Sequence, residues 1–125
     1  MACFSLLFVD DETDFLATME EFFASFGYTV YTARNGQEAL LRLKDHIPDV
    51  LFLDISMPHM DGNEALRLVR EVAPATRVIV VSGYASTQLA RQLLQEGAYD
   101  FFQKPVDLLQ LQEAVERLKA LSELS

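Results

Sequence analysis

Short unbroken apolar runs alternate along this chain with longer stretches whose apolar residues recur every three or four positions. Leu6-Leu7-Phe8-Val9 and the Asp49–Asp54 segment around Val50-Leu51-Phe52-Leu53 have strand length. With no polar position interrupting them, they read as strands covered on both faces. Arg77-Val78-Ile79-Val80-Val81 is the least ambiguous of the set, and Tyr28–Thr32 and Tyr99–Phe102 complete five strands. Between them lie five helical patterns. Phe15, Leu16, Met19, Phe22, Phe23 and Phe26 share one stripe, closed by Gly27. Asn35 with Glu38 forms an N-cap pair for a helix carrying Ala39, Leu40 and Leu43, and Pro48 separates it from the next strand. A third helix starts near Asp61-Gly62, turns Ala65, Leu68, Val69 and Val72 inward, and stops before Pro74. Ser86 or Thr87 caps a fourth, with Leu89, Ala90, Leu93 and Leu94 inward and Gly97 at its end. Asp107 with Gln110 opens the last, striped by Leu108, Leu111, Val115 and Leu118. Strict βα alternation implies right-handed crossovers and a parallel sheet with helices on both faces. No repeat or linker interrupts the pattern, so residues 1–125 read as a single α/β domain.

Composition narrows the function classes. Ten basic residues against nineteen acidic ones leave a net charge of −9, which argues against duplex DNA or an anionic membrane as a direct partner. It suits a cation or a basic protein surface. The single cysteine, Cys3, excludes an internal disulfide and suggests a reducing compartment. No run is long enough to span a membrane, and the apolar start has neither a basic n-region nor a cleavage site. The expected location is cytoplasmic.

Candidate chemistry gathers where strands end. Asp10-Asp11 follow the first run and Asp54 closes the third, and ligands of open α/β sheets bind just beyond the carboxyl ends of strands. If those strands are neighbours, three carboxylates converge. At ~4 Å and an effective dielectric of ~20, each like-charge pair costs about 4 kcal/mol, a repulsion that a cation relieves. Ser82-Gly83 follow Val80-Val81, offering a hydroxyl and a backbone N–H open to close approach. Lys104-Pro105 follow Phe101-Phe102-Gln103, bringing an ammonium beside a candidate cis peptide. The loop Ile55–Gly62 is long enough to add backbone groups. Carboxylates, a hydroxyl and a lysine together describe a hard-cation site with an anion beside it, which suits Mg²⁺. Taken singly, Asp10-Asp11 could cap a helix, Lys104 could be a solvated charge, and Phe101 a plain core aromatic. His46 and His59 lack metal-ligand spacing and read as surface residues. Asp61-Gly62 reads as a turn and helix cap.

Asp10-Asp11-Glu12, Asp54-Ile55-Ser56-Met57-Pro58 with Asp61-Gly62, Ser82-Gly83 and Lys104-Pro105 resemble, in order and over essentially the whole chain, the receiver domain of two-component response regulators, chemotaxis regulators among them. The resemblance implies a flavodoxin-like (βα)5 doubly wound fold with strand order 2-1-3-4-5. It implies that Asp54 accepts a phosphoryl group from a phosphohistidine on a sensor histidine kinase or a phosphotransfer protein. Mg²⁺, or Mn²⁺ in its place, would be held by Asp11, Asp54 and the Ser56 backbone carbonyl, with Asp10 acting through a water. Lys104 and the Ser82 hydroxyl would meet the phosphoryl oxygens, as would the backbone of Met57 and Gly83. Phe101 matches the switch aromatic, and Pro105 the turn. Ser82 stands where Thr is commoner, and Gly83 where Ala is common. Ser56 and Tyr84 occupy positions that tune dephosphorylation, with Tyr84 expected to shield the phosphoryl group from water. Such a domain is a signalling switch rather than an enzyme, acting on an output protein or domain or through a phosphorylation-dependent homodimer.

Two alternatives share parts of this pattern. A haloacid-dehalogenase-type Mg²⁺ phosphohydrolase also uses an aspartyl nucleophile but needs a second Asp two residues later, where this chain has Ser56. A flavodoxin needs a hydroxyl- and glycine-rich phosphate loop after the first strand, and Asp10-Asp11-Glu12 would repel that phosphate.

Overall fold

A computed structural model describes residues 4–57, 61–83 and 87–124. The elements alternate throughout: β1 (Ser5–Val9), α1 (Thr13–Ala24), β2 (Thr29–Ala33), α2 (Gly36–Asp45), β3 (Val50–Asp54), α3 (Gly62–Val72), β4 (Arg77–Ser82), α4 (Thr87–Gln95), β5 (Asp100–Gln103) and α5 (Leu108–Glu123). All strand pairs are parallel, in the order β2-β1-β3-β4-β5. The sheet is therefore the flavodoxin-like doubly wound arrangement. Its register matters most at the centre, where Val9 pairs with Leu53, so that Asp10 and Asp54 end side by side.

Side chains alternate across each strand, and that alternation divides the core in two. Leu7, Val9, Leu51, Leu53, Val78 and Val80 face α2, α3 and α4, meeting Leu43, Leu66, Val69 and Leu93. Leu6, Phe8, Val50, Phe52, Ile79 and Val81 face α1 and α5, meeting Met19, Phe23, Leu111 and Val115. Phe8 stacks on Phe52 with centroids 4.3 Å apart. Since β1 and β3 are covered on both faces, every residue in them is buried. This is why their sequence shows no polar alternation.

Local chemistry sets the helix ends. Asn35, Asp61 and Asp107 each accept hydrogen bonds from the first-turn backbone of their helices, satisfying otherwise orphaned N–H groups. Glu38 does not complete a reciprocal pair with Asn35 and instead accepts from the Arg34 backbone. Gly27 and Gly97 adopt left-handed φ of 89° and 116° after α1 and α4. α4 begins at Thr87, and the Ser86 cap lies outside the described residues.

Four residues expected inside are instead partly exposed to solvent: Phe26, Leu68, Val72 and Leu94. Phe26 lies beyond the end of α1 and packs edge-on against Phe22. The other three flank their helices' buried stripes, and Leu66, fully buried, takes the central place on α3. Strand ends also shift by a residue, so Ser82 belongs to β4 and Ala33 to β2, while Tyr28 and Tyr99 precede their strands. His46 is exposed as expected, yet its ring reaches the Ser5 hydroxyl at 3.1 Å. Cys3 and His59 lie outside the described residues. Among those described, no helix is long and apolar enough to cross a membrane.

Candidate functional site

Parallel strands bring their carboxyl ends to one edge of the sheet, and the ladder runs one residue past three of them. The backbone N–H of Asp10 donates to Ala33, that of Ile55 to Val81, and that of Lys104 to Ser82. These bonds pin Asp10 beyond β1, Asp54 at the end of β3, Ser82 at the end of β4 and Lys104 beyond β5. The Lys104–Pro105 peptide is cis.

Oxygens of Asp10, Asp11 and Asp54 all lie within 4.8 Å of one another. Asp10 and Asp54 are buried while Asp11 is exposed, so the cluster opens to solvent on one side. The Lys104 ammonium sits against it, donating to Asp10 Oδ2 at 2.7 Å, Glu12 Oε1 at 2.9 Å and Asp54 Oδ2 at 3.4 Å. The Phe15 ring lies beneath it, 4.5 Å from Nζ to the centroid. Glu12 donates its N–H to Asp10 Oδ1 at 2.9 Å. Asp54 Oδ1 accepts from both the backbone N–H and the hydroxyl of Ser56, leaving Oδ2 towards the lysine.

Charge is held here under tension. Burial pushes the Asp10 carboxyl above its ordinary value, and the Lys104 hydrogen bond only partly offsets that. Burial alone would lower the Lys104 ammonium, but its hydrogen bonds to Asp10 and Glu12 and the charges of Asp10 and Asp54 outweigh it, so the net shift is strongly upward. Lys104 is therefore charged at neutral pH, and it answers only part of the negative charge around it. The donor set is all oxygen, anionic and partly open, and it fits a hard divalent cation.

The remaining expected site residues occupy varied positions. Ser82 is buried beside the cluster. Gly83 is exposed, and a Cβ built on it would meet nothing within 4 Å. The Met57 side chain is buried in the α2–α3–α4 layer of the core. Phe101 is half-buried against that same layer and pairs across the sheet with Val80. Pro58 and Tyr84 lie outside the described residues. Three contacts went unread in the sequence: Glu12 on Lys104, Phe15 beneath it, and the Ser56 hydroxyl on Asp54. Only the position of Glu12, directly after two aspartates, could have signalled its contact.

Comparison with known proteins matches residues 6–116 to the response regulator receiver domain. The regulatory protein AtoC of Escherichia coli K12 is 38% identical over 119 residues, covering 95% of this chain and 26% of its own length. The chain thus spans about a quarter of the length of the curated relatives it matches. A CheY-like receiver domain protein from Methanospirillum hungatei JF-1 superposes with a TM-score of 0.90 at 29% identity, over 99% of this chain and all of that one. A Burkholderia pseudomallei response regulator, solved with a phosphorylated aspartic acid, calcium and citrate, superposes at 0.82 with 25% identity, over 96% of this chain and 73% of that one. The phosphohydrolase alternative finds no support among these relatives.

Proposed function

This chain belongs to the response regulator receiver family, and from that premise we propose that Asp54 is its phosphoacceptor. Residues 1–125 then act as one receiver unit in two-component signalling. The observation that carries the assignment is the Lys104 ammonium shared between Asp10 and Asp54, at the open edge of three clustered carboxylates. The phosphorylated aspartate of the Burkholderia relative supports the same chemistry on this fold.

In the transfer, an Asp54 carboxylate oxygen attacks phosphorus, the P–N bond of the donor phosphohistidine breaks, and the imidazole leaves with the bonding pair. The Ser56 hydrogen bonds hold one Asp54 oxygen, so that Oδ2 is the oxygen presented to the donor. Phosphoryl transfer asks for positioning and charge neutralisation more than proton shuttling, and the described site contains no histidine. Lys104 supplies one positive charge for the incoming oxygens. Asp11, Asp54 and the Ser56 carbonyl would hold Mg²⁺, or Mn²⁺, with Asp10 acting through a water. When bound, the ion neutralises negative charge on the transferring group. The Ser82 hydroxyl and the backbone N–H groups of Met57 and Gly83 would receive the remaining phosphoryl oxygens, and Tyr84 would shield the product from water.

Phosphorylation replaces the single negative charge of the carboxylate with about −1.5 to −2, by analogy with phosphoserine, a net addition of about −0.5 to −1. Ser82 drawn towards that group vacates space for Phe101, whose half-buried ring gives the switch a packing readout. The sensor kinase or phosphotransfer protein, the output partner and a phosphorylation-dependent homodimer belong to this reading, as does a cytoplasmic location. Incubation with acetyl phosphate and Mg²⁺ should add about one phosphoryl group by mass spectrometry, and Asp54→Asn should abolish it. Rapid multiple turnover on small phosphate esters, or undiminished labelling of Asp54→Asn, would overturn the assignment.

A further inference from the structure

An ammonium has three N–H donors, and in this structure all three positions around Lys104 Nζ face carboxylates: Asp10, Glu12 and Asp54. For Lys104 to donate to a phosphoryl group on Asp54, one of these contacts must open. Asp10 is a poor candidate, because its side chain is 1% exposed and a buried carboxylate stripped of its partner is strongly disfavoured. Asp54 carries the incoming group itself. Glu12 differs, with a side chain 64% exposed, so water can take over its hydrogen bonds at small cost.

A second feature marks Glu12. It occupies the N-cap position of α1 in an extended conformation, yet its side chain makes no capping hydrogen bond. Asp, Asn, Ser or Thr at that place can accept from the first-turn backbone. Here the longer carboxylate reaches outward to the lysine instead, at 2.9 Å, while Asp54 receives the longest of the three contacts.

We propose that Glu12 is a positioning residue that holds Lys104 in the unphosphorylated state and competes with the phosphoryl group for it. It thereby sets the resting bias of the switch. The inference rests on the phosphoacceptor reading above. Opening an exposed ion pair costs little, so the competition tunes the equilibrium and does not block it. The expected effect of removing Glu12 is tightening of the phosphoryl-bound state by about two- to fivefold, the range spanned by exposed ion pairs.

The test titrates wild-type protein, Glu12→Gln and Glu12→Asp with beryllofluoride at saturating Mg²⁺, following amide shifts by NMR. Glu12→Asp keeps the charge but shortens the reach by one methylene, and it supplies a better helix cap, so folding is not at risk. Both variants should bind beryllofluoride about two- to fivefold more tightly than wild type. In a Lys104→Ala background, Glu12→Gln should lose its effect. Should that background fail to fold, the comparison of Asp with Gln decides alone. Unchanged affinity in Glu12→Gln overturns the proposal. So does tightening by Gln but not by Asp, which would mean bulk charge repulsion, or an equal effect without Lys104. Wild-type protein that fails to bind beryllofluoride would instead sink the phosphoacceptor reading, and the role of Glu12 with it.

Discussion

Replacing Lys104 by methionine keeps most of the side-chain volume and removes the one described cation in the acidic cluster, so it isolates what that charge does. Oxygens of Asp10, Asp11 and Asp54 lie within 4.8 Å of one another, and at an effective dielectric of ~20 the three repulsions come to about 10 kcal/mol. The lysine contacts at 2.7 Å to Asp10 and 3.4 Å to Asp54 return about 11 kcal/mol on the same scale. On these contacts the single ammonium offsets the mutual repulsion of the three aspartates, while with Glu12 also on it the site keeps a net negative charge for a metal ion to meet. Without it, the full repulsion would not be sustained, because Asp10, already raised by burial, would take up a proton. The net loss should be that of a buried pair deprived of one partner, about 3–5 kcal/mol.

Urea unfolding in EDTA at neutral pH measures this loss directly. Native Asp10 keeps its proton to higher pH than the unfolded chain does, so its burial destabilises only above the ordinary carboxyl range. The deficit of Lys104→Met should therefore shrink as the pH falls towards ~4. Mg²⁺ at about 100 times its dissociation constant stabilises a native state by ~2.7 kcal/mol. At one fixed Mg²⁺ concentration the variant should gain more than wild type, since its carboxylates are no longer shared with an ammonium. A loss below ~1 kcal/mol in EDTA, the scale of an exposed pair, or a Mg²⁺ gain no larger than that of wild type, would refute the reasoning.

Other outcomes follow from single positions. Gly97→Ala should cost about 1–3 kcal/mol in thermal unfolding, because φ is +116°, a conformation that a residue with a Cβ adopts only under strain, and the Arg70 guanidinium would also have to move aside. Asp61→Ala removes the side chain that accepts from Asn63 and Glu64 and should lower stability by ~1 kcal/mol in urea. Tyr28 has its hydroxyl pKa raised by burial, then by the charge of Glu116, so the unfolded chain ionises first and stability should fall as pH rises past ~10. Tyr28→Phe should flatten that alkaline limb in a pH series of melts. Tyr84→Ala should shorten the aspartyl-phosphate half-life by mass spectrometry, and an unchanged or longer one would remove the shielding role.

The architecture, and most of the polar residues that gather at the sheet edge, can be read from the chain alone. Unbroken apolar runs marked β1, β3 and β4 because these strands are covered on both faces, and polar residues can enter such runs only at their ends. Those ends therefore stood out as Asp10, Asp54 and Ser82, and Lys104 stood out just beyond the fifth strand-like run, β5. What sequence could not decide depends on distances between residues far apart in the chain. Leu66 rather than Leu68 or Val72 fills the centre of α3 because the sheet beneath sets where the helix stripe is driest. Glu12 meets Lys104 across 92 positions of chain only because β1 and β5 end at the same edge of the sheet. Three acidic residues in a row show that negative charge gathers there. Only the fold decided that two of them share a lysine with Asp54, leaving the more exposed one able to let it go.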